Sequence, residues 1–300
     1  MRVDPHRLLV LDAVASTGSV AAAARRLHLV PSGVSQHIAA LERETGLSLV
    51  DRSRRGGHRA LALTEVGRRL AEHAADLRAR LDGVEAEFAA LTESIQGSLT
   101  VAAFPTSLRH LVLPARARLM RDYDAVDLRI VQLDESAFDG ALHSGAVDVA
   151  LLEKEAGHRV SVPGLTSTHL LDDRYLVAIP QGWRTPTTLT DLGDRPWVEG
   201  PPESVTATVL ERHRRTSGLP FRGAHACLEY PAVLDLVDAG LGAALVPHLA
   251  LLNHPPRTAG VVELAGLGGR AIHAAYLRQR RGRRVIGALL DSLRAAAANL

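Results

Sequence analysis

No proline interrupts the chain between Thr64 and Pro105, and no glycine occurs between Gly83 and Gly97. Within that stretch Leu70, Ala74, Leu77, Leu81, Val84, Phe88, Leu91 and Ile95 recur at alternating spacings of four and three, the pattern of a helix with one apolar seam. Thr64 can cap this helix together with Gly67, three places on. About thirty residues at roughly 1.5 Å each make a rod on the order of 45 Å, too long to stand alone in water unless its stripe is covered. A second copy of the chain is the simplest cover; packing of the stripe on the chain's own second domain is the alternative. Gly83, in mid-helix, costs roughly 1 kcal/mol against alanine, which a buried seam can offset. The rod divides the 300 residues into a head (1–63), a linker and dimerisation helix (64–95) and a larger unit (96–300), and two folded bodies are what this length predicts.

Charge divides along the same lines. Residues 1–60 carry nine arginines against five acids and residues 61–95 four against seven, so a basic head precedes an acidic rod. In the head, Asp4 followed by Pro5 is an N-cap residue with proline at the first helical position, and Leu8, Leu11 and Ala15 then share a face until Gly18. Ser19 can cap a short second helix through Leu27, whose Ala21, Ala22, Ala23 and Ala24 admit a close crossing by another helix. After the turn at His28–Val30 a third helix starts at Pro31, with Val34, Ile38 and Leu41 facing inward. Its opposite face offers Ser32, Gly33, Ser35, Gln36 and His37. These are short or hydrogen-bonding residues near a helix N-terminus, where a recognition helix meets base edges and N–H groups favour phosphate. Gln36 suits adenine and Ser35 a base or a phosphate; a polar solvated surface is the plainer alternative. Arg52, Arg54, Arg55 and Arg59 then surround Gly56 and Gly57 between short extended segments, a basic wing able to grip the DNA backbone or minor groove.

The segments "VASTGSVAAAARRLHL", "PSGVSQHIAALE", "TGLSLVDR" and "LTEVGRRL" resemble, in order and spacing, the N-terminal signature of the LysR-type transcriptional regulators. The resemblance spans Leu9 to Leu70 and implies an all-α winged helix-turn-helix joined to a long linker helix. The candidate DNA-binding residues are Ser19, Pro31, Ser32, Gly33, Ser35, Gln36, His37, Arg52, Arg54 and Arg55. Two departures stand out: Val30 occupies the place of a capping serine or threonine, and Val50-Asp51 replaces a Phe-Glu-like pair. The first loosens the start of the recognition helix, whereas the second only alters local packing.

Beyond Gly97 the short apolar runs Leu99–Ala103, Leu128–Leu133, Val147–Leu152, Leu176–Ile179, Ala243–Val246 and Ala271–Leu277 alternate with helical stretches, predicting an α/β fold with a largely parallel sheet. Ligands of such folds sit beyond the carboxyl ends of the strands, beside helix N-termini. That singles out Pro105, Thr106 and Ser107 after the first run, Asp134 and Glu135 after the second, and Glu153, Glu199, Gly200, His225 and Pro247 at other turns. Each alone also reads as a cap or a solvated turn. The segments "GSLTVAAFPTS", "LHSGAVDVALL", "LLDDRYLVAIP" and "LVDAGLGAALVP" are similar to landmarks of the LysR effector domain. That resemblance implies a bilobed domain similar to periplasmic solute-binding proteins, with lobe I about 96–164 and 266–300, lobe II about 165–265, and an effector between them. It puts Thr106 and Ser107 at the cleft. With Asp134, Glu135 and Glu199 nearby, an amino-bearing or neutral effector is as open as an anionic one.

Several functions are excluded or disfavoured. Hydrophobic residues make up 46% and charged ones 23%, ordinary for a globular chain. No run approaches the eighteen or so apolar residues of a membrane span, so a cytoplasmic protein without a membrane partner is expected. Cys227 is the only cysteine, which rules out an intramolecular disulfide; it reads as a buried structural residue rather than a nucleophile paired with His225. The G-x-S-x-G, Walker, H-E-x-x-H and G-x-G-x-x-G patterns are absent, and no catalytic residue, metal or cofactor is expected. Arg278, Arg280, Arg281, Arg283 and Arg284 read as a solvated turn before a closing helix Val285–Ala298. The expected function is sequence-specific, effector-modulated transcriptional regulation, with double-stranded DNA bearing a two-fold-related operator as partner. Homodimerisation follows from the seam and a homotetramer from the resemblance, with RNA polymerase a further candidate partner. An architectural DNA binder without a ligand, or an α/β enzyme, are the alternatives.

Overall fold

The computed structural model describes residues 3–27, 29–51, 62–91, 95–133, 135–158, 162–202, 204–218, 222–252 and 254–300. The head contains α1 (Pro5–Thr17), α2 (Val20–Arg26) and α3 (Pro31–Thr45). Asp4 caps α1 by accepting the His6 N–H at 2.9 Å, and Ser19 caps α2 through the Ala22 N–H. Gly46 ends α3 at φ 70°, a left-handed turn in which a β-carbon is strained. Val34, Ile38 and Leu41 of α3 are buried as expected, each burial worth about 1.5–3 kcal/mol. The face expected for α1 needs correction: Ala15 is exposed, while Val10, Leu11, Ala13 and Val14 are all buried. The reason is that α1 packs against α2 and α3 and also against α4 (Glu65–Leu91), and a helix covered from two sides carries no single stripe.

The capping of α4 follows the sequence, with the Gly67 N–H donating to Thr64 Oγ1 at 3.0 Å. Its apolar stripe divides into parts. Leu70 and Ala71 pack in the head core, Ala74 is fully buried, and Ile95, past the helix, packs on the core of the larger unit. Between them Leu81 and Val84 stand 43% and 49% exposed; the side chains of Phe88 and Leu91 lie outside the described residues. The chain thus covers both ends of the stripe and leaves the middle open. Among the described residues no single helix is long and apolar enough to cross a membrane.

The larger unit contains β1 (Gly97–Ala103), α5 (Pro105–Ser107), α6 (Leu113–Asp122), β2 (Val126–Gln132), α7 (Glu135–His143), β3 (Val149–Glu155), β4 (Leu165–Ile179), β5 (Pro196–Glu199), α8 (Val205–Ser217), β6 (Arg222–Ala226), α9 (Tyr230–Asp238), β7 (Ala243–Pro247), α10 (His248–Leu251), β8 (Gly260–Val262), β9 (Gly269–Leu277) and α11 (Arg284–Ala297). The strands run in the order β2-β1-β3-β9-β4-β7-β5-β6, with β8 also on β4. The sheet is mixed rather than largely parallel. Pairs β1–β2, β1–β3, β5–β6 and β5–β7 are parallel, but β9 and β4 join their neighbours antiparallel. The cause is connectivity: β4 runs through both lobes, pairing with β9 along its first part and with β7 along its last. The first lobe packs on one face of the sheet under α6 and α11 and on the other under α7; α8 and α9 do the same for the second.

Two further expectations fail. Arg280 is not solvated: its side chain is 2% exposed and Nη1 lies 2.5 Å from Asp148 Oδ1, which Arg283 Nη1 also meets at 2.9 Å. Asp148 in turn accepts the Thr100 N–H at 2.8 Å, so the arginine turn locks α11 onto β1 and β3. Cys227 is half-exposed rather than buried, because β6 is an edge strand with every residue exposed.

Candidate functional site

Two places in the molecule gather chemistry. The first is the outer face of α3. Pro31, Ser32, Ser35 and Gln36 are exposed there, with Gly33 and His37 half-buried, while the inner face fills the head core. Val30 contributes no side-chain cap, so the first turn, with its positive helix end, is open to an anion. Ser35 Oγ meanwhile donates back to the Pro31 carbonyl at 3.1 Å. The His37 ring lies edge-on to His6 of α1, centroids 5.0 Å apart, which fixes it at the rim of this face. Ser19 is half-buried at the start of α2. Arg52, Arg54, Arg55 and Arg59 lie outside the described residues, but the base of their segment is built: Val50 bridges Leu63 antiparallel, and Asp51 N–H donates to the Ala62 carbonyl at 2.9 Å. Glu42 of α3 holds that base by accepting the Leu49 and Val50 N–H groups at 2.9 and 3.3 Å. The outer face of α3 and the base of that segment are thereby tied into one unit.

The second place lies where β1, β3, β4 and β9 meet α5. Arg270, facing Asp173 across the β4–β9 pair, has a side chain 1% exposed, like that of Asp173. Its Nε and Nη2 donate to Asp173 Oδ2 at 3.0 and 2.8 Å, Nη1 donates to Glu153, and Nη2 also reaches Thr106 Oγ1 at 2.8 Å. Asp173 Oδ1 accepts the Leu249 N–H at 3.1 Å. Phe104 and Tyr230 rings lie 5.2 and 5.9 Å from the guanidinium carbon. Burial works against the charge on Arg270, but Glu153 and then Asp173 outweigh it and hold its pKa above the ordinary arginine value. Burial likewise pushes the Tyr175 and Tyr230 hydroxyls up and holds the neighbouring His110 imidazole below its usual range. The cluster is therefore a buried centre in which one guanidinium, Arg270, faces two acidic side chains, Asp173 and Glu153.

Of the residues singled out in the sequence, Thr106 and Glu153 enter this cluster and Pro247 leads into α10 beside it. Pro105 is exposed at the start of α5. Ser107 is fully buried, with Oγ donating to the Phe104 carbonyl at 2.9 Å, so it serves the helix start rather than a ligand. Glu199 pairs with Arg214 of α8, away from Arg270. Gly200 has no room for a β-carbon, which would lie 2.6 Å from Ser204 Oγ and 3.0 Å from Thr206 Oγ1; it lets the turn into α8 close. His225 is exposed on the edge strand β6. Asp134 and the Glu135 side chain lie outside the described residues. Arg270, Asp173, Tyr175 and Tyr230 were missed; the signal available was a charge inside an otherwise apolar strand run, at Asp173 in "LLDDRYLVAIP" and at Arg270 before Ala271. Among the described residues no group of histidine, cysteine and acidic side chains could hold a metal ion.

Comparison with known proteins agrees with this two-part arrangement. Residues 5–68 match the family described as "Bacterial regulatory helix-turn-helix protein, lysR family", and residues 92–298 match "LysR substrate binding domain". The chain is 30% identical over 279 residues, 91% of each chain, to the "Probable HTH-type transcriptional regulator LrrA" of Synechococcus elongatus. It is 26% identical over 291 residues to the regulator YcgK of Bacillus subtilis, covering 89% of this chain and 86% of that one. In fold it resembles a full-length OxyR variant from Pseudomonas aeruginosa, with TM-score 0.72, 20% identity and 98% of each chain covered. It also resembles CbnR solved with its target DNA, with TM-score 0.60, 18% identity, and 98% and 100% covered. With a helix-turn-helix match at one end and a substrate-binding-domain match over most of the rest, the chain belongs to the LysR family of transcriptional regulators.

Proposed function

We propose that this regulator acts as a homodimer on a two-fold-related operator, laying the α3 face into successive major grooves with the wing arginines on the backbone, and that a small molecule bound between the two lobes sets its activity. The observation that carries the DNA half is the division of α3, with Val34, Ile38 and Leu41 in the core and Ser32, Ser35 and Gln36 exposed. A helix held so firmly by one face can offer the other as a rigid probe to a groove. Leu81 and Val84, exposed on α4, supply apolar surface for a second α4. The paired helices set the half-sites about one DNA turn, roughly 34 Å, apart. The division into head 1–63, linker 64–95 and effector unit 96–300 belongs to this reading, as do a homotetramer, a contact with RNA polymerase, a cytoplasmic location and the lack of catalysis.

The test separates base reading from backbone gripping. Gln36→Ala should relax preference at one operator position by about 1–3 kcal/mol, whereas Arg54→Ala should weaken binding to every duplex and lower the slope of log K against log salt by about 1. Fluorescence anisotropy on operator and scrambled duplexes reads both; equal losses on both duplexes for both variants would sink the division. Leu81→Glu with Val84→Glu should yield monomers in sedimentation velocity, and an unchanged dimer would remove α4 from the interface.

A further inference from the structure

We infer that the cleft effector is a protonated amine, received by Glu153 with its neighbouring polar group on the Tyr175 hydroxyl; this rests on the cleft being the effector site. The charges in the cluster do not balance: one guanidinium, Arg270, faces two carboxylates, Asp173 and Glu153. Asp173 is spent, one oxygen accepting two Arg270 donors and the other the Leu249 N–H. Glu153 is the reachable partner, 16% exposed against 1% for the other two. Lys154 cannot supply the missing cation, since successive side chains of a strand point to opposite faces and Lys154 acts on His273 instead. His110, beside the cluster, is held neutral by burial.

An incoming carboxylate would have to displace Glu153 from Arg270 and leave three carboxylates around one guanidinium, an uncompensated buried charge. An incoming ammonium does the opposite and brings the site to neutrality. The second observation is Tyr175: 1% exposed, its hydroxyl buried without a partner among the described residues, and close enough to Tyr230, Arg270, Glu153 and Asp173 for each to bear on its ionisation. A buried hydroxyl left unbonded costs stability that a ligand group can recover. Phe104 and Tyr230, already stacked near one cation, offer ring faces to an alkylammonium stem.

The test uses full-length protein and four probes of one skeleton: phenylalaninol, 3-phenylpropylamine, 3-phenylpropanol and 3-phenylpropanoate, titrated by calorimetry to about 10 mM, where ligands of this size register. Wild type should bind both amines at least roughly tenfold tighter than the carboxylate. Glu153→Gln should erase that preference. Tyr175→Phe should leave the unliganded melting temperature unchanged or higher, weaken phenylalaninol and spare 3-phenylpropylamine. Carboxylate binding equal to amine binding, silence of all four probes, or an amine preference that survives Glu153→Gln would overturn the inference. Anisotropy of the same wild-type sample on duplex DNA runs in parallel: intact DNA binding with a failed amine test leaves the regulator reading standing, whereas loss of DNA binding strikes that reading itself.

Discussion

His273 shows how one side chain can carry a pH dependence. It faces His169 across the β4–β9 pair, ring centroids 5.3 Å apart, and is 8% exposed with Nε2 buried and unbonded among the described residues. Burial, reinforced by His169, lowers its pKa from the usual 6.5. The folded chain therefore keeps this imidazole neutral while the unfolded chain takes up a proton near pH 6.5, so the unfolded state binds more protons and stability falls as pH drops below that value. The melting temperature should decline from pH 7 to 5.5, and His273→Leu should flatten the decline while matching or exceeding wild type at pH 7, since it removes an unpaired buried nitrogen. If the slope in His273→Leu equals that of wild type, the loss belongs to His110 and His213, whose pKa values burial also lowers. At this scale Thr106 was legible because it follows the end of β1, whereas Glu153, expected at a turn after Leu152, lies inside β3 and meets Arg270 from the strand itself. Arg270 and Asp173 were not legible, because they stand 97 residues apart in the chain and only tertiary pairing makes either one tolerable inside.

Two glycines of α4 make opposite demands at the scale of the element. A β-carbon on Gly67 would lie 2.1 Å from the Leu49 carbonyl oxygen, whereas one on Gly83 would meet nothing within 4 Å. The first turn of α4 thus rests directly on the wing base. Gly67→Ala should destabilise the head by about 1–3 kcal/mol through forced backbone displacement, seen as faster amide exchange in α1 and α3. Gly83→Ala should instead stabilise α4 by roughly 1 kcal/mol. Similar exchange in the two variants would mean that the close approach at Leu49 relaxes without cost. The head and rod helices were readable because α1, α2 and α4 have side-chain caps and α3 has one clean apolar face; α1 misled at Ala15 because two layers cover it. Among the strands, the runs of β1, β2, β3, β7 and β9 and the last part of β4 announced themselves, while β5 and β8, of four and three residues, were too short to register; the first part of β4 and all of β6 did not register either. The former is a crossover segment rich in polar residues and the latter an exposed edge, so neither carries the apolar pattern on which strand reading depends.

At the scale of the whole molecule, Arg78 is the joint. From α4 its Nε donates to Asp12 Oδ2 of α1 at 2.7 Å and its Nη2 to the Ser144 carbonyl, just past α7, at 3.0 Å. Head, rod and effector unit thus meet on one guanidinium. Gly145 makes the approach feasible: it sits at φ 69°, and a β-carbon there would lie 1.9 Å from Arg78 Nη2. With side chains 15% and 4% exposed, the Arg78–Asp12 pair is largely removed from water, so removing one partner strands a charge. Arg78→Met should cost about 3–5 kcal/mol, whereas Arg78→Met combined with Asp12→Leu should recover most of it, because an apolar pair of similar volume leaves nothing uncompensated. Urea denaturation of the singles and the double gives the coupling energy. Small-angle scattering should show the head–effector spacing broadening in the single variant and remaining broad in the double, since neither retains the bond to Ser144. A double variant as unstable as Arg78→Met would show that Asp12 is not the group left stranded. Restored stability with an unbroadened spacing would show that other contacts hold the head against the effector unit, and Arg78 would then be a stability element rather than the joint.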